Sequence, residues 1–262
     1  MFDLPVMSEL TRALAALALV ALAALISRWQ TLDLERQMVT AVVRAFIQLT
    51  LIGYALNIIF AVDNPWAVLA IIGVMTLIAG HTSGRRGAGI PQARPVALLS
   101  ITVGAALTLG LLLGLRVFTP SAQEIIPIGG MVVGNAMNVC SLVMRRVWEE
   151  VNGRRLEIET ALALGATRRQ AADPFLKTAL QSGMMPIIDS TKTVGLIQLP
   201  GAMTGMILAG ASPLEAVQLQ MIVMYMLIGA AAFTGLTAAF LSYRQFFTSD
   251  HQLILPLDEQ KS

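Results

Sequence analysis

The chain has 262 residues, of which 56% are hydrophobic and only 13% charged, and its net charge is +2. A soluble domain of this length cannot bury so much apolar surface, which excludes that class and indicates a polytopic membrane protein. One cysteine, Cys140, excludes an internal disulfide and a cysteine-based zinc site.

The apolar runs are too long, and alternate too little, for a transmembrane β-barrel. We therefore predict an all-α fold in a single membrane domain spanning residues 1–262. About 20 apolar residues cross the hydrocarbon core as a helix. Seven stretches meet this requirement, namely 10–27, 38–60, 66–80, 96–118, 125–144, 184–209 and 216–243.

The first stretch resembles a secretory signal in length but has the opposite charge pattern. The residues before it, MFDLPVMSEL, carry no positive charge, whereas Arg28 and Arg36 follow it. This arrangement is typical of a retained anchor whose N-terminus lies outside the cell.

Positive charge also predicts the topology of the remaining chain. Alternate loops contain 14 of the 18 basic residues, and the loops around 63–65, 119–124 and 210–215 contain none. Because basic loops stay in the cytoplasm, the C-terminal residues 244–262 are predicted to form a cytoplasmic tail. The 14 residues are Arg28, Arg36, Arg85, Arg86, Arg94, Arg145, Arg146, Arg154, Arg155, Arg168, Arg169, Lys177, Arg244 and Lys261.

The longest basic loop, residues 145–182, is predicted to fold as a cytoplasmic helix-turn-helix between spans five and six. Gly165 is placed to end the first helix in a left-handed conformation. Thr167 with Gln170 has the spacing of a capping box that begins the second helix. An alternative start has Asp173 as the cap and Pro174 in the first turn. Four positions share an apolar face of the first helix, namely Ile158, Ala161, Leu162 and Gly165.

Two interpretations of the 145–182 segment follow from its pattern alone. A short helix with a glycine-set turn makes a compact knob that can seat in a cleft on a cytoplasmic partner. Alternatively, the segment is an amphipathic loop that rests on lipid headgroups with its arginines facing anionic lipid.

The pattern E-T-A-x-x-x-G at 159–165 resembles the E-A-A-x-x-x-G coupling loop of ABC importer permeases, although the later Ile-x-Leu-Pro of that signature is absent. Over nearly its whole length the chain resembles the FetB-like family of iron-export ABC permeases, which includes plant aluminium-tolerance proteins. The matching stretches are RAFIQL at 44–49 with Gly53-Tyr54, IPIGGM at 126–131 with GNAM at 134–137, LGAT at 164–167, DSTKTVGL at 189–196, LPGAMTG at 199–205, and His251-Gln252-Leu253.

The resemblance implies a permease subunit of the bacterial inner membrane, forming a homodimer with two separate ABC ATPase subunits and exporting iron or another metal species. The sequence contains no G-x-x-x-x-G-K-[ST] phosphate loop, so we expect no enzyme activity and no bound cofactor here, with ATP on the partner, and no nucleic-acid partner. ATPase movement would reach a helix at 184–205 through a short connection. The expected coupling residues are Glu159, Thr160, Ala161, Gly165, Ala166, Thr167, Arg168 and Arg169.

Charged side chains within spans are candidates for a translocation path or a gate. Arg44 and Gln48 lie one turn apart in span two, although Arg44 could also snorkel to the interface. Asp189 and Lys192 have the spacing of an intrahelical pair. Pro200-Gly201 follows them, and a gating hinge and a structural pair are both compatible with this arrangement.

Span five carries a row of soft and polar side chains. Met131, Asn135 and Asn138 could line a transient metal path, whereas the simpler interpretation is gap filling by methionine and hydrogen bonding between helices by asparagine. His81 and His251 have no partner at ligand spacing, so we expect no fixed metal site.

Glycine pairs at i, i+4 also occur in three predicted spans and allow close helix approach, at 110/114, 130/134 and 201/205.

Two other classes of protein remain as alternatives. A secondary transporter that works without an ATPase would carry a coupling-ion site and usually inverted repeats, and no clear repeat is found. An intramembrane enzyme would need a catalytic set, and no Ser/His, Asp/Asp or H-E-x-x-H set occurs within the spans.

Overall fold

The computed structural model describes residues 9–62, 64–87, 89–248 and 252–254, and nine helices account for most of this part of the chain. The chain divides into two compact units, Met1–Asp63 and Asn64–Ser262. The predicted all-α class is confirmed for the described residues.

The first unit contains α1 (Glu9–Trp29) and α2 (Glu35–Val62), which pack against each other. The buried Ser27 hydroxyl holds the turn between them, because it accepts from the backbone N–H of Leu34 at 3.2 Å and donates to Glu35 Oε2 at 3.4 Å. Thr31 and Asp33 adopt positive φ angles of 53° and 54°, which reverse the chain within a few residues.

The second unit contains the other seven helices. Three of them begin at a serine, threonine or asparagine cap followed closely by proline or by the acidic or amide residue of a capping box. The helices are α3 (Pro65–Arg86), α4 (Ala93–Gly114), α5 (Ala122–Gly153), α6 (Arg155–Ala163), α7 (Arg168–Thr193), α8 (Gly201–Leu208) and α9 (Pro213–Arg244).

The core of the second unit lies among α3, α4, α5, α7 and α9, and glycine allows these helices to approach closely. A side chain at Gly104 would collide with Thr234 of α9, and one at Gly183 would collide with Val143 of α5. The i, i+4 glycine pairs predicted from the sequence are not at these contacts. An added Cβ at any of these six glycines would meet nothing within 4 Å among the described residues.

Five helices are long and apolar enough to cross a membrane: Glu35–Asn57 within α2, and α3, α4, α5 and α9. They correspond to predicted spans two, three, four, five and seven, and α3 extends beyond the predicted end at residue 80. Predicted span one, 10–27, falls within α1, Glu9–Trp29. Five of the seven predicted spans are thus supported by helix length and composition, while the membrane orientation stays a prediction.

The sixth predicted span, 184–209, is wrong as one continuous helix. Helix α7 ends at Thr193 and α8 begins only at Gly201. Gly195 adopts a left-handed φ of 81°, and Pro200 has no N–H to continue the helical ladder, so both residues oppose an unbroken helix. His251, Lys261 and most of the predicted tail lie outside the described residues.

Candidate functional site

The turn of the 145–182 segment closes α6 with a Schellman motif. The N–H of Gly165 donates to Leu162 O, and the N–H of Ala166 donates to Ala161 O, each at 3.0 Å. Gly165 has a φ of 88°, a conformation that only glycine adopts without appreciable cost. The predicted left-handed stop at Gly165 is therefore confirmed.

Helix α7 begins with the predicted capping box. The Thr167 N–H donates to Gln170 Oε1 at 2.8 Å, and the Gln170 N–H donates to Thr167 Oγ1 at 3.4 Å. The alternative start at Asp173 and Pro174 is wrong, because both residues lie inside α7. Two rigid end structures thus enclose a turn of only four residues, which fixes the direction of α7 relative to α6.

The outer side of α6 and its turn presents apolar and charged groups together. Leu156 and Leu164 are 77% and 84% exposed, and an added Cβ at Gly165 would meet nothing within 4 Å. Glu159 is half-buried and accepts a 2.7 Å bond from Arg155 Nε. We define the docking face as Leu156, Glu159, Leu164, Gly165 and Arg169, the last of which is also exposed.

The other candidate coupling residues lie in the same two helices and their turn. The Thr160 hydroxyl donates to Leu156 O at 2.7 Å and is occupied within α6. Ala161, Ala166 and Arg168 are half-buried. The structure therefore brings the sequence-predicted coupling set into one compact region, although their role in coupling remains a prediction.

The inner side of the 145–182 segment is fastened to the core. Ile158 of α6 and Phe175 of α7 are buried in the same core as Val147 and Val151 of α5. Glu150, only 7% exposed, pairs with Arg146 and with Arg154, each at 2.9 Å. These contacts make the segment a firmly packed part of the fold.

Helix α7 connects the turn directly to the apolar part of the unit. It runs from Arg168 to Thr193 without a break, with Pro174 and Pro186 inside it. The predicted short connection between the turn and a helix at 184–205 is therefore wrong. One helix therefore spans the whole distance from the turn to Thr193.

The break between α7 and α8 gathers polar groups next to the apolar α8. Asp189 Oδ1 lies 3.3 Å from Lys192 Nζ, so the predicted intrahelical pair is present, with both side chains exposed. The Gln198 side chain donates to Ser190 Oγ at 3.1 Å, and the Gly195 N–H donates to Gln198 O at 3.0 Å. These bonds hold a compact loop just before Pro200 and Gly201.

The candidate path residues of α5 make contacts with different neighbouring helices. Asn135 Nδ2 donates to Leu227 O of α9 at 2.9 Å, whereas Asn138 Oδ1 accepts from Arg86 of α3 at 3.3 Å. Met131 is half-buried and packs against the core. These bonds match the interpretation of asparagine as a link between helices, and a role in a path stays a prediction.

In the first unit, Arg44 and Gln48 are both exposed along α2. Arg44 borders a surface cavity of about 360 Å³ together with Arg36, Gln37, Thr40 and Ala41. The cavity lies on a single helix, and two of its five residues are arginine. This cluster fits polar or anionic groups, and it does not by itself assign Arg44 to transport.

Reasoning from the sequence missed Glu150 and the two exposed leucines of the docking face. Glu150 has arginines four residues away on either side, a spacing at which helical side chains meet, and this signal was available. Leu156 and Leu164 do not belong to the apolar face predicted for the first helix. The sequence therefore gives only a weak indication that they are exposed, and the fold shows that they are.

Comparison with known proteins identifies the family. The model of the uncharacterised protein family UPF0014 matches residues 10–247. The chain belongs to this family. No solved structure matches.

Two UPF0014 relatives illustrate the range of the similarity. The Arabidopsis thaliana protein ALUMINUM SENSITIVE 3 is 47% identical over 240 residues, covering 91% of this chain and 88% of its own length. The Escherichia coli K12 protein named probable iron export permease protein FetB is 38% identical over 242 residues, which cover 92% of this chain and 93% of the length of the E. coli protein. The predicted family resemblance is thereby confirmed over nearly the full chain.

Proposed function

We propose that this UPF0014 member is the membrane-spanning permease subunit of an ABC transporter. It pairs with itself in the bacterial inner membrane and with separate cytoplasmic ATPase subunits, which bind and hydrolyse ATP. It exports iron or another metal species and performs no enzymatic step itself.

One observation carries this proposal: the docking face lies on α6 and on the rigid turn that joins α6 to α7. The Schellman motif and the capping box fix the turn, and Phe175 anchors α7 in the core. A partner that seats on the docking face therefore acts on a helix that reaches the break at Thr193. ATPase closure shifts this helix as a rigid element, which is a known way to switch a membrane path.

The cargo class follows from the names of the relatives. The E. coli relative is named for iron export, and the Arabidopsis relative is named for aluminium sensitivity. Both names concern metal ions, which supports a metal species as the cargo of this chain. Asp189 and Lys192 are exposed, and a homodimer surface formed over them would keep these charged side chains away from lipid, where they are costly.

Co-purification with candidate ATPases tests the proposal. Leu156→Glu and Leu164→Glu alter exposed side chains, so we expect folded protein that no longer retains a stoichiometric ATPase. Leu115→Glu is the matched control, because Leu115 is 74% exposed at the end of α4 and lies outside the docking face. Wild type that retains no ATPase, or docking-face variants that retain it fully, would contradict the proposal.

A secondary transporter is the second candidate, and the break between α7 and α8 favours it specifically. Such transporters place substrate sites at discontinuous helices. The two candidates differ in their energy source. Uptake of metal into inside-out vesicles that requires ATP supports the ABC permease, whereas uptake driven by an ion gradient without ATP supports the secondary transporter.

A further inference from the structure

A cavity of about 260 Å³ lies at the break between α7 and α8, away from the docking face. Its walls come from the end of α7, the loop after it, α8 and the first half of α9. The described residues that line it are Thr191, Val194, Gly195, Met203, Val217, Gln220, Met221, Met224 and Tyr225.

Three methionines face this cavity from two helices. Met203 of α8 is half-buried, Met224 of α9 is buried, and Met221 is partly exposed one turn earlier on α9. The Thr191 hydroxyl lies 3.7 Å from Met224 Sδ, which fixes one thioether at the cavity wall. Thioether sulfur is a soft, uncharged ligand.

Gln220 supplies a second and independent observation. Its side chain is 6% exposed and lines the same cavity, and its Oε1 has no hydrogen-bond partner among the described residues. A buried acceptor without a partner is destabilising, because it has lost its hydrogen bonds to water and gained none in the fold. Such a group needs an explanation, and a cation held beside the amide would provide one.

We propose that this cavity binds a soft monovalent transition-metal cation, with the chemistry of Cu(I) and its redox-stable analogue Ag(I). The thioethers of Met203, Met221 and Met224 supply soft ligands, and the Gln220 amide supplies the polar one. The described lining contains no carboxylate, imidazole or thiolate. It therefore offers no negative charge to balance the second positive charge of a divalent cation. A neutral set of this kind prefers a soft ion of single charge over Mg²⁺ or Ca²⁺.

The weakness of neutral ligands suits transport. An ion that passes through a membrane protein must bind well enough to enter and weakly enough to leave. Thiolate ligands would hold Cu(I) far longer than thioethers. The cavity also borders α7, the helix that the docking face controls in the proposed mechanism, so a shift of α7 moves Thr191 relative to α9.

The role of the cavity in transport rests on the proposed function, whereas cation binding does not. Methionine also fills gaps in cores, and packing alone predicts no metal binding. Binding to the purified chain without an ATPase therefore separates the two interpretations. It also separates a failure of this inference from a failure of the permease proposal, which co-purification tests.

The experiment is an Ag(I) titration of the full chain carrying Cys140→Ala, which removes the thiol that would compete for Ag(I). It is done in detergent and followed by NMR of ¹³C-labelled methionine methyl groups. At one equivalent of Ag(I) we expect shifts confined to Met203, Met221 and Met224. Met224→Leu should weaken Ag(I) binding about tenfold or more, because Leu keeps the volume and removes the sulfur. If Met224→Leu fails to fold, the partly exposed Met221→Leu gives the same readout.

Met226→Leu is the matched control, since Met226 lies on the same helix at 4% exposure, close to the 8% of Met224, and does not line the cavity. It should bind Ag(I) as the wild type does. Shifts spread over all 14 methionines, or equal weakening in Met226→Leu, would overturn the inference. So would anaerobic Fe²⁺ binding at the cavity as tightly as Ag(I) does.

Discussion

The Glu150 carboxylate lies 2.9 Å from Arg154 Nε, across the junction where α5 ends and α6 begins. Glu150 is almost fully buried and also bonds Arg146, so one acidic group holds two arginines of the 145–182 segment. The docking face is thus tied to the core by charge as well as by the apolar contacts of Ile158 and Phe175.

Glu150→Gln should destabilise the chain by about 1–3 kcal/mol, because it removes charge-assisted bonds from a buried site and leaves two arginines with a weaker acceptor. Thermal unfolding in detergent measures the change. Glu149→Gln is the control, since Glu149 bonds only Arg146 among the described ion pairs and is half exposed. Equal melting temperatures for both variants would show that the junction does not depend on Glu150.

Gly165→Ala should destabilise the turn by about 1–2 kcal/mol, because an L-residue is strained at a φ of 88°. Hydrogen exchange of the Gly165 and Ala166 amides, which close the Schellman motif, provides a local readout. Gly153→Ala is the control, because an added Cβ at Gly153 also meets nothing within 4 Å and Gly153 is not among the glycines with a positive φ. It should be neutral or stabilising. Unchanged exchange in Gly165→Ala would mean that the turn tolerates alanine and does not depend on the glycine.

Gly104→Ala should lower the melting temperature, because its Cβ would collide with Thr234 Oγ1 where α4 crosses α9. Gly110→Ala on the same helix meets open space and serves as the control. The Thr234 hydroxyl has no hydrogen-bond partner in the described part of the chain, so Thr234→Ala removes the obstacle without breaking a bond.

The double variant Gly104→Ala/Thr234→Ala should therefore recover part of the stability lost in Gly104→Ala. A double-mutant cycle measures this recovery as an interaction energy between the two sites. Additive losses would show that the close approach of α4 and α9 does not depend on this pair.

Asn135→Leu distinguishes a structural link from a path residue. Loss of the 2.9 Å bond to Leu227 O should cost about 0.6 kcal/mol, the average for bonds between membrane helices, and at most about 1.7 kcal/mol. We expect lower thermal stability with metal selectivity unchanged in transport assays. Altered selectivity at unchanged stability would instead assign Asn135 to the path.

The local structure of the 145–182 segment could be predicted from the sequence because its determinants are short-range. Glycine at position 165 favours a left-handed helix end, and the Thr167 side chain accepts from the N–H of Gln170, three residues later. Both features follow from the residue types and their spacing. The break after Thr193 was missed because hydropathy averages over the loop, although Gly195 and Pro200 oppose a helix. Long-range features were out of reach: nothing in the sequence pairs Gly104 with Thr234 or places three methionines around Gln220.

The central claim is that an ATPase seats on the docking face, and site-specific photo-crosslinking in membranes tests it most directly. A photoreactive residue at Leu164 should give an adduct whose partner binds an ATP analogue and contains a phosphate loop by mass spectrometry. The same residue at Leu115 should give no such adduct. An ATPase adduct formed equally from both positions, or from neither in actively transporting vesicles, would contradict the account.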